Sequence, residues 1–448
     1  MNEPVPLWHS AALPASAQWM PAVLANEAYL AAVLAQLAVI ILMGRAMNHL
    51  FVAIGQPGAV GEIVGGLMLG PSLLGLLAPE FHAGFFPAET ARTLFVIGQV
   101  GLILLMFEIG ADFEFGHLKD RRYRRAAILN ATLSVVVPFA AGVGVGLLTH
   151  GPLAAGIDRT IYTLFCGVAL AITAVPILGR ILREYGLNRT PVGVVAIASA
   201  AVNDVLGWLI LAAISALALA TLGDGFFAWR IVALATLGLA MRFLMVPLVD
   251  RMMRFWGADL VEGRIPHAFL AITIAAAFTC ALATEAIGIF AIFGGFALGL
   301  VYHRHPGFVA IWRRSVGQFV LVFFLPIFFT LTGLRTDIWG LGLADLPWLA
   351  LILAAAILSK LLPCYLAGRL SGFSKPESWL LGALMNTRAL MELIVLNIAY
   401  DLGFLPQKMF TMLVLMAVIT TMMTGPLLRL ILPRMGHPLP GPGATREA

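Results

Sequence analysis

Charge is what this sequence has least of. Its 448 residues carry 28 Lys+Arg and 23 Asp+Glu, 11% of the chain, where a soluble domain carries about 25%. So few charges cannot cover the surface of a soluble fold of this length. That excludes a cytosolic enzyme, a nucleic-acid binder and a disordered scaffold. Cysteine is equally scarce. Cys166, Cys280 and Cys364 all fall inside apolar runs, with no disulfide framework and no metal-ligand spacing. Residues 1–28 hold no Lys or Arg, so they lack the basic start of a secretory signal and read as a retained extracytoplasmic tail. Enzyme signatures are also missing: there is no HExxH, GxSxG, Walker A loop or strand-borne GxGxxG.

What is present is apolar length. Hydrophobic residues make up 60% of the chain. Thirteen apolar segments, at roughly 29–48, 56–76, 92–112, 124–149, 158–183, 191–221, 228–249, 264–283, 286–302, 315–334, 346–368, 376–400 and 408–432, are each about long enough to cross a bilayer as a helix. The expected fold class is an all-α polytopic membrane protein with about 13 spans. Loops after the odd-numbered segments, with the C-terminal tail, hold 20 Lys+Arg; loops on the other side hold only Arg92, Arg159, Arg230, Arg335 and Lys408. Basic loops stay cytoplasmic, so the N-terminus is expected outside and the C-terminus inside.

A charge near the bilayer midplane is costly and marks function by default. Arg242, Lys360 and Arg388 lie within apolar segments, with Glu62, Asp204 and Glu392 and, less centrally, Glu108 and Glu285. Arg242, Glu108 and Glu285 are close enough to segment ends to snorkel to the interface. Two segments look interrupted. Pro176, in Thr173-Ala-Val-Pro176, breaks the fifth by removing a backbone N–H, and Asn386-Thr-Arg-Ala389 is a polar run inside the twelfth. These breaks are seven segments apart, so the two run in opposite directions. Broken helices at matching places in inverted halves point to a transporter's binding site.

Asn203-Asp204 lies at the middle of the sixth segment. A lone carboxylate in low dielectric can hold a proton or a desolvated monovalent cation in turn. Asn203 adds a neutral oxygen, and unwound backbone near Thr173 adds carbonyls and a hydroxyl. Those hard oxygen ligands suit Na⁺ or K⁺ and no transition metal. Lys360 and Arg388 are each able to pair with Asp204 or Glu392. Arg388 and Glu392, four apart, share a helix face, and Arg388 can also serve the carbonyls freed at the break. Lys360 reads either as a structural salt bridge or as a second proton carrier. Glu62 reads as part of a funnel or as an interfacial side chain. His303 and His305 read as a solvated basic edge.

Six motifs, in order, carry a resemblance. They are Gln56-Pro-Gly-Ala-Val-Gly-Glu-Ile63 with Leu69-Gly-Pro-Ser-Leu-Leu-Gly75, Thr173-Ala-Val-Pro-Ile-Leu-Gly-Arg-Ile-Leu182, Ala201-Val-Asn-Asp-Val-Leu-Gly-Trp208, Leu325-Pro-Ile-Phe-Phe-Thr-Leu-Thr-Gly-Leu-Arg-Thr-Asp337 and Asn386-Thr-Arg-Ala-Leu-Met-Glu-Leu-Ile-Val-Leu-Asn397. From about residue 29 to 432 the chain resembles the monovalent cation:proton antiporter-2 family, in its Kef-type and plant cation/proton exchanger branch. The resemblance implies the sodium/proton antiporter fold, with inverted repeats and two unwound helices crossing at their centres. It implies a scaffold and dimer domain from 29–112 and 264–334, a core transport domain from 124–221 and 346–432, a linker helix at 228–249 and a cytoplasmic tail at 433–448. It also implies that Asp204 is the ion- and proton-binding carboxylate and that Lys360 holds the family's lysine position. The Asn-Asp pair resembles that of electroneutral members. Ala389 stands where relatives carry glycine, and Phe107-Glu-Ile-Gly-Ala-Asp-Phe113 replaces a Gly-Leu-Glu run.

The expected function is one-for-one exchange of Na⁺ or K⁺ for H⁺ by alternating access, serving pH homeostasis across a cell membrane of the bacterial inner-membrane type. No cofactor, no nucleic acid and no fused nucleotide-binding regulatory domain are expected; a homodimer is. The rival readings are a partner-gated, channel-like K⁺ efflux protein of the same fold and a membrane sensor that binds ions without moving them.

Overall fold

A bilayer offers backbone N–H and C=O groups no water, so a spanning chain satisfies them internally, as helices. The structure, a computed structural model, describes residues 20–112, 121–187, 190–221, 227–257, 263–287, 290–388 and 390–436. Ala389, Phe113, most of the N-terminal tail and the tail from residue 437 lie outside the described residues. Among those described there is no strand; the protein is all-α.

Each of the thirteen apolar segments contains helix. The first three form α1 (Met20–Ala53), α2 (Gly58–Leu69) with the short α3 (Leu74–Leu77) and α4 (Pro79–Phe85), and α5 (Ala88–Ala111). The fourth to sixth form α6 (Arg121–Ala154), α7 (Arg159–Ala171) with α8 (Val175–Glu184), and α9 (Pro191–Thr221). The seventh is α10 (Phe227–Ala240), a π-helical turn at Met241–Met245 and α11 (Val246–Phe255). Then come α12 (His267–Ala286), α13 (Ile292–Tyr302), α14 (Pro306–Trp312) and α15 (Leu325–Leu334), with two π-helical turns joining the last two. The chain closes with α16 (Leu346–Leu370), α17 (Lys375–Met385), α18 (Leu390–Asp401) and α19 (Gln407–Ile431). Among the described residues nine helices are long and apolar enough to cross a membrane, or ten if the bent pair Pro306–Gly317 and Val320–Leu334 is one span. Large apolar side chains such as Leu42, Leu209, Phe243 and Leu366 face outward, as a lipid solvent allows.

Two sets of helices pack among themselves. In one, α6 lies against α7, α9 and α16, and α17 against α9, α16 and α19. In the other, α5 lies against α13 and α15, and α2 against α1 and α15. Packing in the second set runs through glycine, because lipid supplies no hydrophobic drive between helices and close backbone approach replaces it. A Cβ built on Gly333 of α15 would run into the carbonyl oxygen of Gly66 on α2, and one on Gly66 into that of Phe329. Gly333→Val is therefore expected to destabilise the fold by about 1–3 kcal/mol, the usual cost of overpacking. The readout is a lower apparent melting temperature in detergent; an unchanged value would contradict the backbone contact.

Both broken segments are broken. The fifth turns extended at Ile172, just after α7, and the twelfth leaves the helix at Thr387 and Arg388, after α17. The break at the fifth lies directly before Pro176, whose ring and missing N–H disfavour helix at the carbonyl four residues earlier, that of Ile172. Helix α8 restarts at Val175, so Pro176 lies in a first turn, where a missing N–H costs nothing. The two breaks lie against each other: Ala174 N donates to Thr387 O at 3.1 Å, and Thr173 Oγ1 to Met385 O, at the end of α17, at 3.2 Å. Helix α17 is started by a capping box of Ser374 and Glu377, and α7 by Asp158, whose carboxylate accepts from Ile161 N at 2.8 Å.

Candidate functional site

Breaking two helices leaves the last carbonyls of α7 and α17 without intrahelical donors, and leaves the negative ends of two helix dipoles inside the protein. Two buried cations serve the α7 end. Lys360, fully buried on α16, donates all three ammonium hydrogens: to Ala171 O at 2.6 Å, Ser134 O at 2.7 Å and Thr173 Oγ1 at 2.8 Å. Arg388, also fully buried, donates to Ala169 O at 3.0 Å and Ala356 O at 3.3 Å. Ala169 and Ala171 both belong to the last turn of α7, so each cation caps the same helix end.

The Ser134 carbonyl is available because of Pro138. This proline lies inside α6, and with no N–H it leaves the carbonyl four residues earlier unpaired. Asn203 uses the same patch. Its Nδ2 reaches Ser134 Oγ at 3.2 Å, Ala171 O at 3.3 Å and Ser134 O at 3.5 Å. With its nitrogen so anchored, the Asn203 side-chain oxygen is buried without a donor.

Asp204 is 3% exposed. Neither of its carboxylate oxygens has a hydrogen-bond partner, and no ion pair within 4 Å reaches it among the described residues. Lys360 is therefore not its salt-bridge partner. The lysine's three donors go instead to oxygens of α6 and of the break after α7. One turn on, Trp208 shares the Asp204 face of α9. Its ring meets Phe293 at 5.5 Å and Phe296 at 6.2 Å, so this face of α9 looks towards α13 of the other helix set. Thr173 hydrogen-bonds Lys360 and Met385 and so joins the two breaks.

Glu392 pairs with Arg388 at 3.8 Å, both side chains wholly buried; otherwise its carboxylate lacks hydrogen bonds. Glu62 does not join this cluster. It is 5% exposed and held by Arg45 Nη2 at 2.9 Å and Asn48 Nδ2 at 2.7 Å from α1. Glu108 does not snorkel: it is buried, 3.8 Å from Arg313, in a space that exists because Gly317 has no side chain. Arg242 and Glu285 are exposed. His305 Nε2 lies 2.9 Å from Asp250 Oδ1, and among the described residues no group of three or more His, Cys, Asp or Glu is arranged for a metal ion.

Sequence reasoning misses the carbonyls of Ser134 and Ala171 as acceptors. The signal for Ser134 is present, as Pro138 in mid-span. Nothing local marks Ala171.

An all-α membrane protein in which two broken helices cross beside a buried carboxylate and two buried cations has the architecture of an ion antiporter. A solved sodium proton antiporter of Methanocaldococcus jannaschii, MjNhaP1, superposes with a TM-score of 0.62 over 92% of this chain and 100% of its own, at 15% identity. Residues 37–433 match the family described as sodium/hydrogen exchanger, transmembrane, and the chain belongs to that family. It is thus a multi-pass membrane protein of a cation/proton antiporter family. A Na⁺/H⁺ antiporter of Synechocystis, NhaS4, is 37% identical over 419 residues, 90% of this chain and 98% of the relative. The Na⁺/H⁺–K⁺ antiporter GerN of Bacillus cereus is 28% identical over 88% of this chain and 95% of its own. Cation/H⁺ antiporter 19 of Arabidopsis thaliana is 31% identical, and there the match spans 49% of the relative's length.

Proposed function

We propose that the protein exchanges a monovalent cation, Na⁺ or K⁺, for H⁺ across the cell membrane, one for one, with Asp204 holding cation or proton in turn. The observation that carries this is the state of Asp204: buried, with no donor on either oxygen among the described residues. An ionised carboxylate in such surroundings is stable only when neutralised. A proton or a small cation does so, and a single charge balances one of them at a time. The Asn203 oxygen beside it is a second ligand that adds no charge.

The helix set of α6–α9 and α16–α19 is the moving core in this reading, and the set of α1, α2, α5, α12, α13 and α15 the scaffold. The Asp204 face lies at the seam between them, so a shift of one set against the other changes the side from which it is reached. Lys360 keeps its charge throughout, because its three acceptors belong to the core and move with it. One positive charge then crosses in each direction. Thirteen crossings, an outer N-terminus and a homodimer complete the proposal.

The test is purified protein in liposomes, with a pH-sensitive dye inside and Na⁺, K⁺ or Li⁺ added outside. Lumenal pH is expected to change with Na⁺ or K⁺, at a rate unaffected by an imposed membrane voltage. No response to any cation would overturn antiport. Cation flux without proton movement would replace it with a channel-like pathway, and clear voltage dependence would make Lys360 a second proton carrier.

A further inference from the structure

A second set of cation-binding oxygens lies away from Asp204, on the face where α15 and α18 end and α5 begins. Arg335 terminates α15. Its Nη1 donates to Asn397 Oδ1 at 2.8 Å, and its Nη2 pairs with Asp401 Oδ1 at 2.8 Å. The guanidinium carbon lies 5.6 Å from the Tyr400 ring centroid and 5.8 Å from that of Phe95. Asn397 is held by its own nitrogen, which donates to Thr332 Oγ1 and to Leu393 O, both at 2.8 Å, so its oxygen is aimed at the arginine. A small cavity bordered by Gly98 and Gln99 of α5 and Phe328 of α15 opens onto these groups. Arg335 and Asp401 are 24% and 32% exposed.

A carboxylate oxygen and an amide oxygen that converge on one positive charge are hard ligands of the kind a monovalent cation takes. Here the charge is the protein's own guanidinium. The two partners come from different helix sets: Arg335 ends a helix of the proposed scaffold, whereas Asn397 and Asp401 belong to α18, the second half of a broken helix. Asn397 lies about 10 Å along α18 from the break, at 1.5 Å per residue. Any separation of α18 from α15 withdraws the guanidinium and leaves the two oxygens on a route towards the break.

We propose that Asn397 and Asp401 form an access site for the transported monovalent cation, and that Arg335 is a tethered cation that plugs it while the two helix sets are closed on this face. The inference rests on the antiport reading. Arg335 acts here as a positioning residue, competing with the cation for the same oxygens.

The experiment uses right-side-out vesicles carrying the full chain with Gln99→Cys, labelled by a membrane-impermeant maleimide; the three native cysteines are buried. Arg335→Ala is expected to speed labelling on the order of tenfold, the worth of a charge-assisted hydrogen bond, and Arg335→Lys to restore the slow rate. In Arg335→Ala, added Na⁺ or K⁺ should slow labelling again, and Asp401→Asn should abolish that protection. In transport, the half-saturating external cation concentration should fall in Arg335→Ala and rise in Asp401→Asn. Labelling unchanged by Arg335→Ala, or a change in maximal rate alone with the same half-saturation, would overturn the plug and leave a structural stitch. Labelling needs no turnover, so it stays readable if the antiport reading fails; a liposome signal that persists while labelling is insensitive to Arg335 rejects this inference alone.

Discussion

Asp204→Asn is expected to reduce cation-driven proton movement to the level of protein-free liposomes while leaving the protein folded. The substitution keeps size and shape and removes the titratable charge. It breaks no hydrogen bond, since neither carboxylate oxygen has a partner among the described residues, and a neutral amide is easier to bury than a charge. The melting temperature in detergent should therefore stay level or rise. A ligand that binds only the folded protein raises its stability, so any stabilisation of the wild type by Na⁺ or K⁺ should vanish in the variant. Loss of transport with loss of folding would leave the role of Asp204 open to a structural account. Retained transport in a well-folded variant would end the proposal.

Arg388→Ala carries the largest expected effect on stability, about 3–5 kcal/mol, because removing one partner strands the other charge in a wholly buried place. Glu392 would lose its ion pair at 3.8 Å, and the carbonyls of Ala169 and Ala356 would lose the hydrogen bonds that Arg388 gives them. Replacing both members by apolar groups, as in Arg388→Met with Glu392→Met, is expected to recover part of the loss, since no unpaired charge remains. Thermal unfolding in detergent of the wild type, the single and the double variant reads this directly. A single variant as stable as the wild type, or a double variant no better than the single, would show that the pair does not hold the break together.

Much of the site is legible in the sequence. Asn203-Asp204, both breaks and the buried cations stand out because ionisable residues in an apolar run are costly. Their partners are not legible there. Asp204 and Lys360 are opposite charges in mid-span and invite pairing, yet Lys360 bonds oxygens that lie 187 to 226 residues away in sequence. Glu108 is close enough to a helix end to reach the interface, yet turns inward because Gly317 happens to face it. Arg335 reads as one of five cations on the sparsely charged side and as part of one motif; its hold on Asn397 and Asp401 depends on where α18 ends.

The sequence by itself determined that this is an all-helical membrane protein, and where its helices lie and break. The reason is that the solvent does the selecting: apolar length and buried charge are local properties, and a bilayer enforces them segment by segment. Only the tertiary structure decided which oxygens meet which cations. Those contacts need the two breaks to meet and a proline on a third helix to free a carbonyl beside them, and no local rule couples positions so far apart.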